Sequence, residues 1–193
     1  KKLPQHSNFM GVIKSNAYGH DLKIATNAIK DVVDGFGIVR LEEALIIREN
    51  STKPILAMQG VYSSDAYDSI KQNDIWTVVH STSQLPLAKQ YQNSLIFWIK
   101  LNTGMNRLGI KLNELSQFNS FFTDSNVLMT HLACADNPSD ELNKIQFDNF
   151  ENSWNETSNN MKRSILNSNG VLNFPEHSYD WVRVGIAMYG GID

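Results

Sequence analysis

The sequence is short of the features that mark several large protein classes. It has one cysteine, Cys134, which excludes an internal disulfide framework and fits a reducing, cytoplasmic compartment. Its longest uncharged apolar run, "SLIFWI", falls far below the ~20 residues that span a bilayer, so no membrane partner is expected. Lys and Arg nowhere gather densely and the net charge is -3, which argues against nucleic acid as a partner. The five histidines are scattered, without the convergent spacing that a catalytic metal requires, so no metal is expected. No G-x-G-x-x-G follows a strand pattern, Ser168 has no nucleophile elbow around it, and Cys134 lacks a basic neighbour in sequence. Linkers rich in Pro, Gly or Ser and low-complexity tracts are missing as well. Asn50-Ser-Thr52 and Asn155-Glu-Thr157 fit the glycosylation pattern but are expected to be chance matches. The chain opens on "KKLPQ" and closes on "MYGGID", and both ends are expected to be cuts in a longer protein.

What the chain does have is alternation. Short apolar runs, "FMGVIK" (9–14), "GFGIV" (35–39), "PILAM" (54–58), "IWTVV" (75–79), "LIFWIKL" (95–101), "VLMTHL" (127–132), "RSILN" (163–167) and "WVRVG" (181–185), read as strands. Most are apolar on consecutive positions, as in parallel strands covered on both faces. Between them lie helical patterns. "KIATNAIKDVVDG" repeats Ile24, Ala25, Ala28, Ile29, Val32 and Val33 at helical spacing; "RLEEALIIREN", "SSDAYDSIKQND", "STSQLPLAKQYQ" and "LSQFNSFF" follow. After "NPSDE" a long polar-rich helix is expected to about Asn160, whereas "SNGVLNFPEHSYD" reads as loop. Eight strands with intervening helices predict an α/β fold, a (β/α)8 TIM-type barrel, occupying residues 1–193 as a single domain. An open, doubly wound sheet is the alternative.

In a barrel, chemistry belongs at the C-terminal ends of the strands. Lys14 ends the first run, with Tyr18 beyond it; Lys100 and Arg107 follow the fifth, His131 the sixth, and Asn167, Ser168 and Gly170 the seventh; Arg183 lies in the eighth, before Gly185 and Ile186. Carboxylates are scarce in this set. Arg, Tyr, Ser and Gly suit an anionic phosphorylated ligand, because backbone N–H groups around "NSNG" and "VGIAMYG" can cradle phosphate and glycine permits close approach. A lysine across the mouth favours pyridoxal 5'-phosphate (PLP) over a nucleotide, since PLP needs an amine, a phosphate cup and a partner for its ring nitrogen.

"VIKSNAYGH" resembles the PLP-lysine signature of alanine racemases, and "KLNTGMNRLG", "THLACAD" and "NSNGVLNFPEHSYDWVRVGIAMYG" are similar to later motifs of that family, in order, from about residue 9 to residue 190. The resemblance implies a bacterial isomerase that interconverts L- and D-alanine by two-base proton transfer. Its product would supply peptidoglycan with D-alanine, or be catabolised. It implies Lys14 as the PLP lysine and proton mover; Tyr18, Ser168 and the N–H groups of Gly185 and Ile186 on the phosphate; Arg183 against the ring nitrogen; and His131 behind Arg183. It places Asn167 at the cofactor and Arg107 on the substrate carboxylate, with Lys100 as a candidate for carbamylation. A guanidinium has no proton to spare at neutral pH, so the ring nitrogen should stay unprotonated.

Two residues depart from the family pattern: Asn102 stands where an aspartate is usual and Asp21 where a glycine is usual. The second base is, in the family, a tyrosine of a C-terminal β domain supplied by the other subunit of a homodimer. The chain is therefore expected to be the barrel part of such an enzyme, truncated at both ends and impaired as a racemase alone. The alternatives are a racemase of another small amino acid such as serine, and a non-catalytic single-barrel PLP carrier.

Overall fold

A computed structural model describes residues 6–157 and 160–192. Eight strands form one parallel sheet: β1 (Asn8–Val12), β2 (Gly35–Ile38), β3 (Ile55–Ala57), β4 (Ile75–Val79), β5 (Phe97–Lys100), β6 (Val127–Met129), β7 (Lys162–Ser164) and β8 (Trp181–Val184). They run in the order β7-β6-β5-β4-β3-β2-β1-β8. The sheet curls into a nearly closed TIM barrel, and the open-sheet alternative is set aside. The β7/β8 seam is bridged largely by side chains. Arg163 N–H donates to Asp180 at 2.8 Å and the Ser164 hydroxyl to the Trp181 carbonyl at 2.7 Å, with one backbone bond from Arg183 N to Leu166 O at 3.0 Å.

Around the strands lie α1 (Lys14–Tyr18), a left-handed turn, and the helices α2 (Leu22–Ile29), α3 (Leu41–Arg48), α4 (Ser64–Gln72), α5 (Leu85–Tyr91), α6 (Glu141–Glu156) and α7 (Ser168–Asn173). Their starts follow local chemistry. Ser63 caps α4 by accepting from Ala66 N at 3.3 Å, and Pro86 sits in the first turn of α5, where no N–H is needed. None of the helices is long and apolar enough to cross a membrane, among the described residues.

Three expectations need correction. The helix through Val32 ends at Ile29; Ala25 and Val33 reach the core and Ile29 packs against it, but Ile24 and Val32 are each 68% exposed, so only part of that apolar repeat faces inward. "LSQFNSFF" belongs to a 3-10 stretch, Leu112–Phe121. The stretch read as loop holds α7, one and a half turns started by Asn167, whose side chain accepts from Gly170 N at 2.9 Å, and a 3-10 turn, Pro175–His177. The expected run of α6 to Asn160 crosses residues 158–159, which lie outside the described residues.

The barrel interior is packed below and polar above, and the two-residue period of a strand accounts for both. Met10, Leu56, Val78, Trp98, Val127, Met129 and Trp181 form one buried cluster inside the barrel. Trp98 and Trp181 are 5.9 Å apart and Trp76 meets Trp181 edge-on at 5.6 Å, which plugs the lower end with aromatic surface. Two residues further along the same strands come Lys100 above Trp98, Arg183 above Trp181, and His131 beyond Met129.

Candidate active site

At the C-terminal ends of the strands opens a cavity of about 370 Å³, within the range of small-molecule sites. Of the residues singled out from the sequence, Lys14, Tyr18, Lys100, Arg107, His131, Asn167, Ser168, Arg183, Gly185 and Ile186 line it; Gly170 does not, and its N–H is taken by the Asn167 side chain. Sequence reading missed Met58, Gln59 and Asn169, which also line it. Counting by twos from the interior Leu56 finds Met58; nothing local marks the other two.

Lys14 does not end a strand. β1 stops at Val12, and residues 15 to 18 turn left-handed, with φ of 56° at Ser15, 52° at Asn16, 56° at Ala17 and 54° at Tyr18. For residues with a Cβ this conformation costs about 1–2 kcal/mol each, so the turn persists only because its surroundings hold it. Ala17 N donates to Ile13 O at 3.0 Å and Gly19 closes the turn. The Asn16 side chain accepts from Leu22 N at 2.8 Å, and Asn16 N donates to the Glu43 carboxylate at 3.1 Å. The turn carries Tyr18 to the far wall, its ring 5.0 Å from Tyr189. A Cβ on Gly185 would stand 2.4 Å from the Tyr18 hydroxyl, so glycine there is what lets the phenol reach the β8 loop. Burial pushes the Tyr18 phenol up, keeping it a hydrogen-bond donor at neutral pH.

Opposite, the buried Ser168 hydroxyl accepts from Gly185 N at 2.9 Å and Ala187 N at 3.3 Å. With those two N–H groups engaged by Ser168, the Ser168 and Tyr18 hydroxyls and the start of α7 converge on one corner of the cavity, a donor set suited to phosphate.

The polar floor is cationic. Arg183, 4% exposed, donates to the Ser164 hydroxyl and the Thr130 carbonyl, and to Ile165 O at 3.4 Å. Burial lowers it to about 10, still a cation at pH 7. Lys100 is 7% exposed and is pushed down to about 8, first by burial and then by Arg183, Arg107 and Lys14. His131 falls to about 3 for the same reasons, burial first and then Arg183. It is therefore neutral, and the Asn167 amide donates to its Nε2 at 3.4 Å. That is the contact His131 makes here, while Arg183 is held by Ser164 and carbonyl groups. Four cationic side chains, Lys14, Lys100, Arg107 and Arg183, line the cavity, with no carboxylate beside them. Such a set needs an anion.

Arg107 rides on an exposed loop that returns to β5 through Asn102 N to Ile110 O and Ile110 N to Lys100 O, each at 2.9 Å. Gly109, at φ 137°, lies against that backbone, where a Cβ would meet Asn102 N at 2.5 Å. The Asn102 departure leaves this loop formed: its Oδ1 accepts from Asn106 N at 2.9 Å, and its amide donates to Asn106 Oδ1 at 3.0 Å. Asp21 sits at φ 66° and caps α2 by accepting from Ile24 N at 3.0 Å.

Comparison with known proteins gives one answer. The family model described as alanine racemase, N-terminal domain, matches residues 1–193. An alanine racemase of Pasteurella multocida is 38% identical over 98% of this chain and 54% of its own length, and that of Mannheimia succiniciproducens is 35% identical over 98% and 55%. The alanine racemase structure from Acinetobacter baumannii superimposes with a TM-score of 0.86 at 33% identity, over 96% of this chain and 57% of that one. That from Bartonella henselae, solved with covalently bound pyridoxal phosphate, gives 0.85 at 25% identity, over 96% and 55%. The chain spans about half the length of the curated relatives it matches.

Proposed function

The chain belongs to the alanine racemase family, and from that premise we propose that it is the cofactor-binding half of an enzyme that interconverts L- and D-alanine. The observation that carries this reading is the cavity with four cations, a phosphate-suited corner and an amine, Lys14, on its wall. Pyridoxal phosphate, when bound, supplies the electron sink that makes the α-proton of an amino acid acidic.

The chain's own residues divide the remaining tasks. The Lys14 amine holds the cofactor and then takes or returns the α-proton on its own face of the substrate. The hydroxyls of Tyr18 and Ser168 and the N–H groups of Ile186 and, once released from Ser168, Gly185 bind phosphate, and Asn167 donates to the neutral His131 beside them. Arg183, fixed by Ser164 and Thr130, would be the partner of the ring nitrogen, a cation at neutral pH with no proton to give, and so would limit the cofactor's strength as an electron sink and disfavour side reactions. Arg107, at the mouth, takes the substrate carboxylate, where a planar fork of donors fixes orientation. Carbamylation of Lys100 would turn one repelling cation into an anion between Arg107 and Arg183.

Proton transfer on the opposite face needs a second base, which we assign to the remainder of the protein and to a partner subunit in a homodimer. The chain alone should therefore capture cofactor and racemise poorly. We place the enzyme in the cytoplasm, supplying D-alanine.

The test is titration of the purified chain with PLP, borohydride reduction and peptide mass spectrometry. A single adduct on Lys14 is expected. Adducts spread over surface lysines would overturn the site, and a robust racemase rate from this chain alone would overturn the assignment of the second base elsewhere.

A further inference from the structure

Glu43 is the only carboxylate among the buried residues described, and among those residues it forms no ion pair. A buried carboxylate is costly unless hydrogen bonds satisfy it, and here three backbone N–H groups do so. Oε2 accepts from Val39 N at 3.2 Å and Arg40 N at 3.1 Å, which fastens the start of α3 in the manner of half a capping box. The other oxygen does something a cap has no need of. Oε1 crosses to the neighbouring segment and accepts from Asn16 N at 3.1 Å, in the middle of the left-handed turn that begins at Lys14.

That turn has four consecutive non-glycine residues at positive φ. Its other hydrogen bonds lie within its own segment: Ala17 N to Ile13 O, Gly19 N to Ser15 O and Asn16 O, and the Asn16 side chain to Leu22 N; beyond the segment it is held by packing, with Ala17 in the core and the Tyr18 ring against Tyr189. Glu43 is the side chain that links it to the β2–α3 corner.

We propose that Glu43 is a positioning residue for Lys14. Its carboxylate holds the left-handed turn through Asn16 N–H, and so aims both the Lys14 amine and the Tyr18 hydroxyl into the cavity. The inference rests on the reading that Lys14 carries the cofactor. In Glu43→Gln one acceptor oxygen becomes an NH2 donor: with the amide oxygen kept at the Oε2 position, where it accepts two bonds, the NH2 faces Asn16 N–H and the bond to the turn is the one lost, whereas the opposite orientation loses the two bonds to Val39 N and Arg40 N. A bond to a charged acceptor is worth about a factor of ten or more, and the Lys14 turn, being strained, should be what yields.

The experiment uses the full chain and reads the fraction of Lys14 reduced onto PLP by borohydride at fixed PLP, beside the urea midpoint. Glu43→Gln should capture about tenfold less cofactor. Ile47→Val, a buried change on the same helix, should lower the urea midpoint and leave capture unchanged. Adding Ser15→Gly to Glu43→Gln should restore capture in large part, because Ser15 is exposed and glycine adopts positive φ freely. Wild-type chain that fails to label at Lys14 refutes the cofactor reading itself. Labelling of wild type with equal labelling of Glu43→Gln refutes only the role of Glu43. A Glu43→Gln chain that does not fold also refutes it, since the carboxylate would then be holding the barrel and not the turn. Hydrogen exchange on unsubstituted chain asks the same question: the Asn16 amide should be protected, and exchange at the rate of an open turn would overturn the proposal.

Discussion

Replacing Lys100 by methionine should stabilise the ligand-free chain, although it removes a residue from the centre of the cavity. Lys100 is 7% exposed, and its amine falls from the ordinary 10.5 to about 8 through burial and then Arg183, Arg107 and Lys14. At about 1.4 kcal/mol per pH unit, carrying that charge at pH 7 costs the folded chain about 3 kcal/mol. The sign follows from linkage. The folded value lies below the unfolded one, so the unfolded chain binds the proton more tightly. The stability associated with the neutral amine is complete above about 10.5 and is lost as pH falls through about 8. Lys100→Met has the length of the stem and none of the charge. In bicarbonate-free buffer its urea midpoint should exceed that of the parent at pH 7. The gap should shrink by about 2 kcal/mol by pH 9.5, where much of the penalty on the parent's folded state has disappeared. Other groups titrating near that pH are common to both chains and cancel in the difference. Adding bicarbonate should reverse the order at neutral pH if the amine is carbamylated, because an anion between two arginines is favourable. Lys100→Met less stable than the parent in bicarbonate-free buffer, or a gap that does not change with pH, would refute the electrostatic account.

Three other substitutions or titrations bear on the same site. Gly185→Ala forces a methyl to within 2.4 Å of the Tyr18 hydroxyl and 3.3 Å of the Val12 Cβ. It should cost about 1–3 kcal/mol in urea unfolding and weaken phosphate binding by calorimetry. Unchanged values in both would mean that Tyr18 does not pack there. Asp21→Gly should be neutral or stabilising by up to about 1 kcal/mol, since glycine suits φ 66° and caps nearly as well. Asp21→Ala should lose about 1 kcal/mol with the cap, and a reversed ranking in thermal unfolding would count against the strain assigned to that position. The His131 ring drops from 6.5 to about 3, so its contribution to stability is whole above about 6.5 and is lost as pH falls toward 3. Near pH 4.5 the chain should be weaker by about 2–3 kcal/mol, and His131→Leu should show a shallower acid slope; equal slopes would show that the ring is not held neutral.

What the sequence made legible was the sheet. Six of the eight strands lie within the runs read as strands, and β1 and β7 each start one residue earlier, at Asn8 and Lys162, because buried parallel strands are apolar at consecutive positions and need no partner to be recognised. The site was legible through them, since residues at strand ends fall at one mouth whatever the helices do. The helices were less so. Val32 continues an apolar repeat yet stands in solvent, because the chain turns at Lys30 to bring Gly35 into β2. The helix α7 hid behind Gly170 and Pro175, whose local preferences say loop while the Asn167 cap and the β8 loop impose a turn and a half of helix. Least legible was the Lys14 turn. Gly19 is the only glycine in it, and four side-chain-bearing residues hold positive φ because Glu43, 27 residues away in sequence, supplies an acceptor. No local pattern contains that instruction.

The same separation explains how the cavity keeps its charge. Glu43 could neutralise a neighbour if it faced the mouth, but it is buried behind the Lys14 turn with both oxygens committed to backbone N–H groups. Lys14, Lys100, Arg107 and Arg183 are therefore left without an acid among the lining residues. In the low dielectric of a barrel mouth their mutual repulsion is weakly screened, and it adds to burial, the larger cause, in depressing Lys100 and His131. A doubly charged phosphate with an anionic phenolic oxygen relieves that repulsion at several cations at once, whereas a neutral ligand relieves none of it. Selectivity for the anion thus arises as much from the cost of the empty arrangement as from the contacts made in the filled one. The carboxylate that could have spoiled it is instead used to hold the turn that presents the amine.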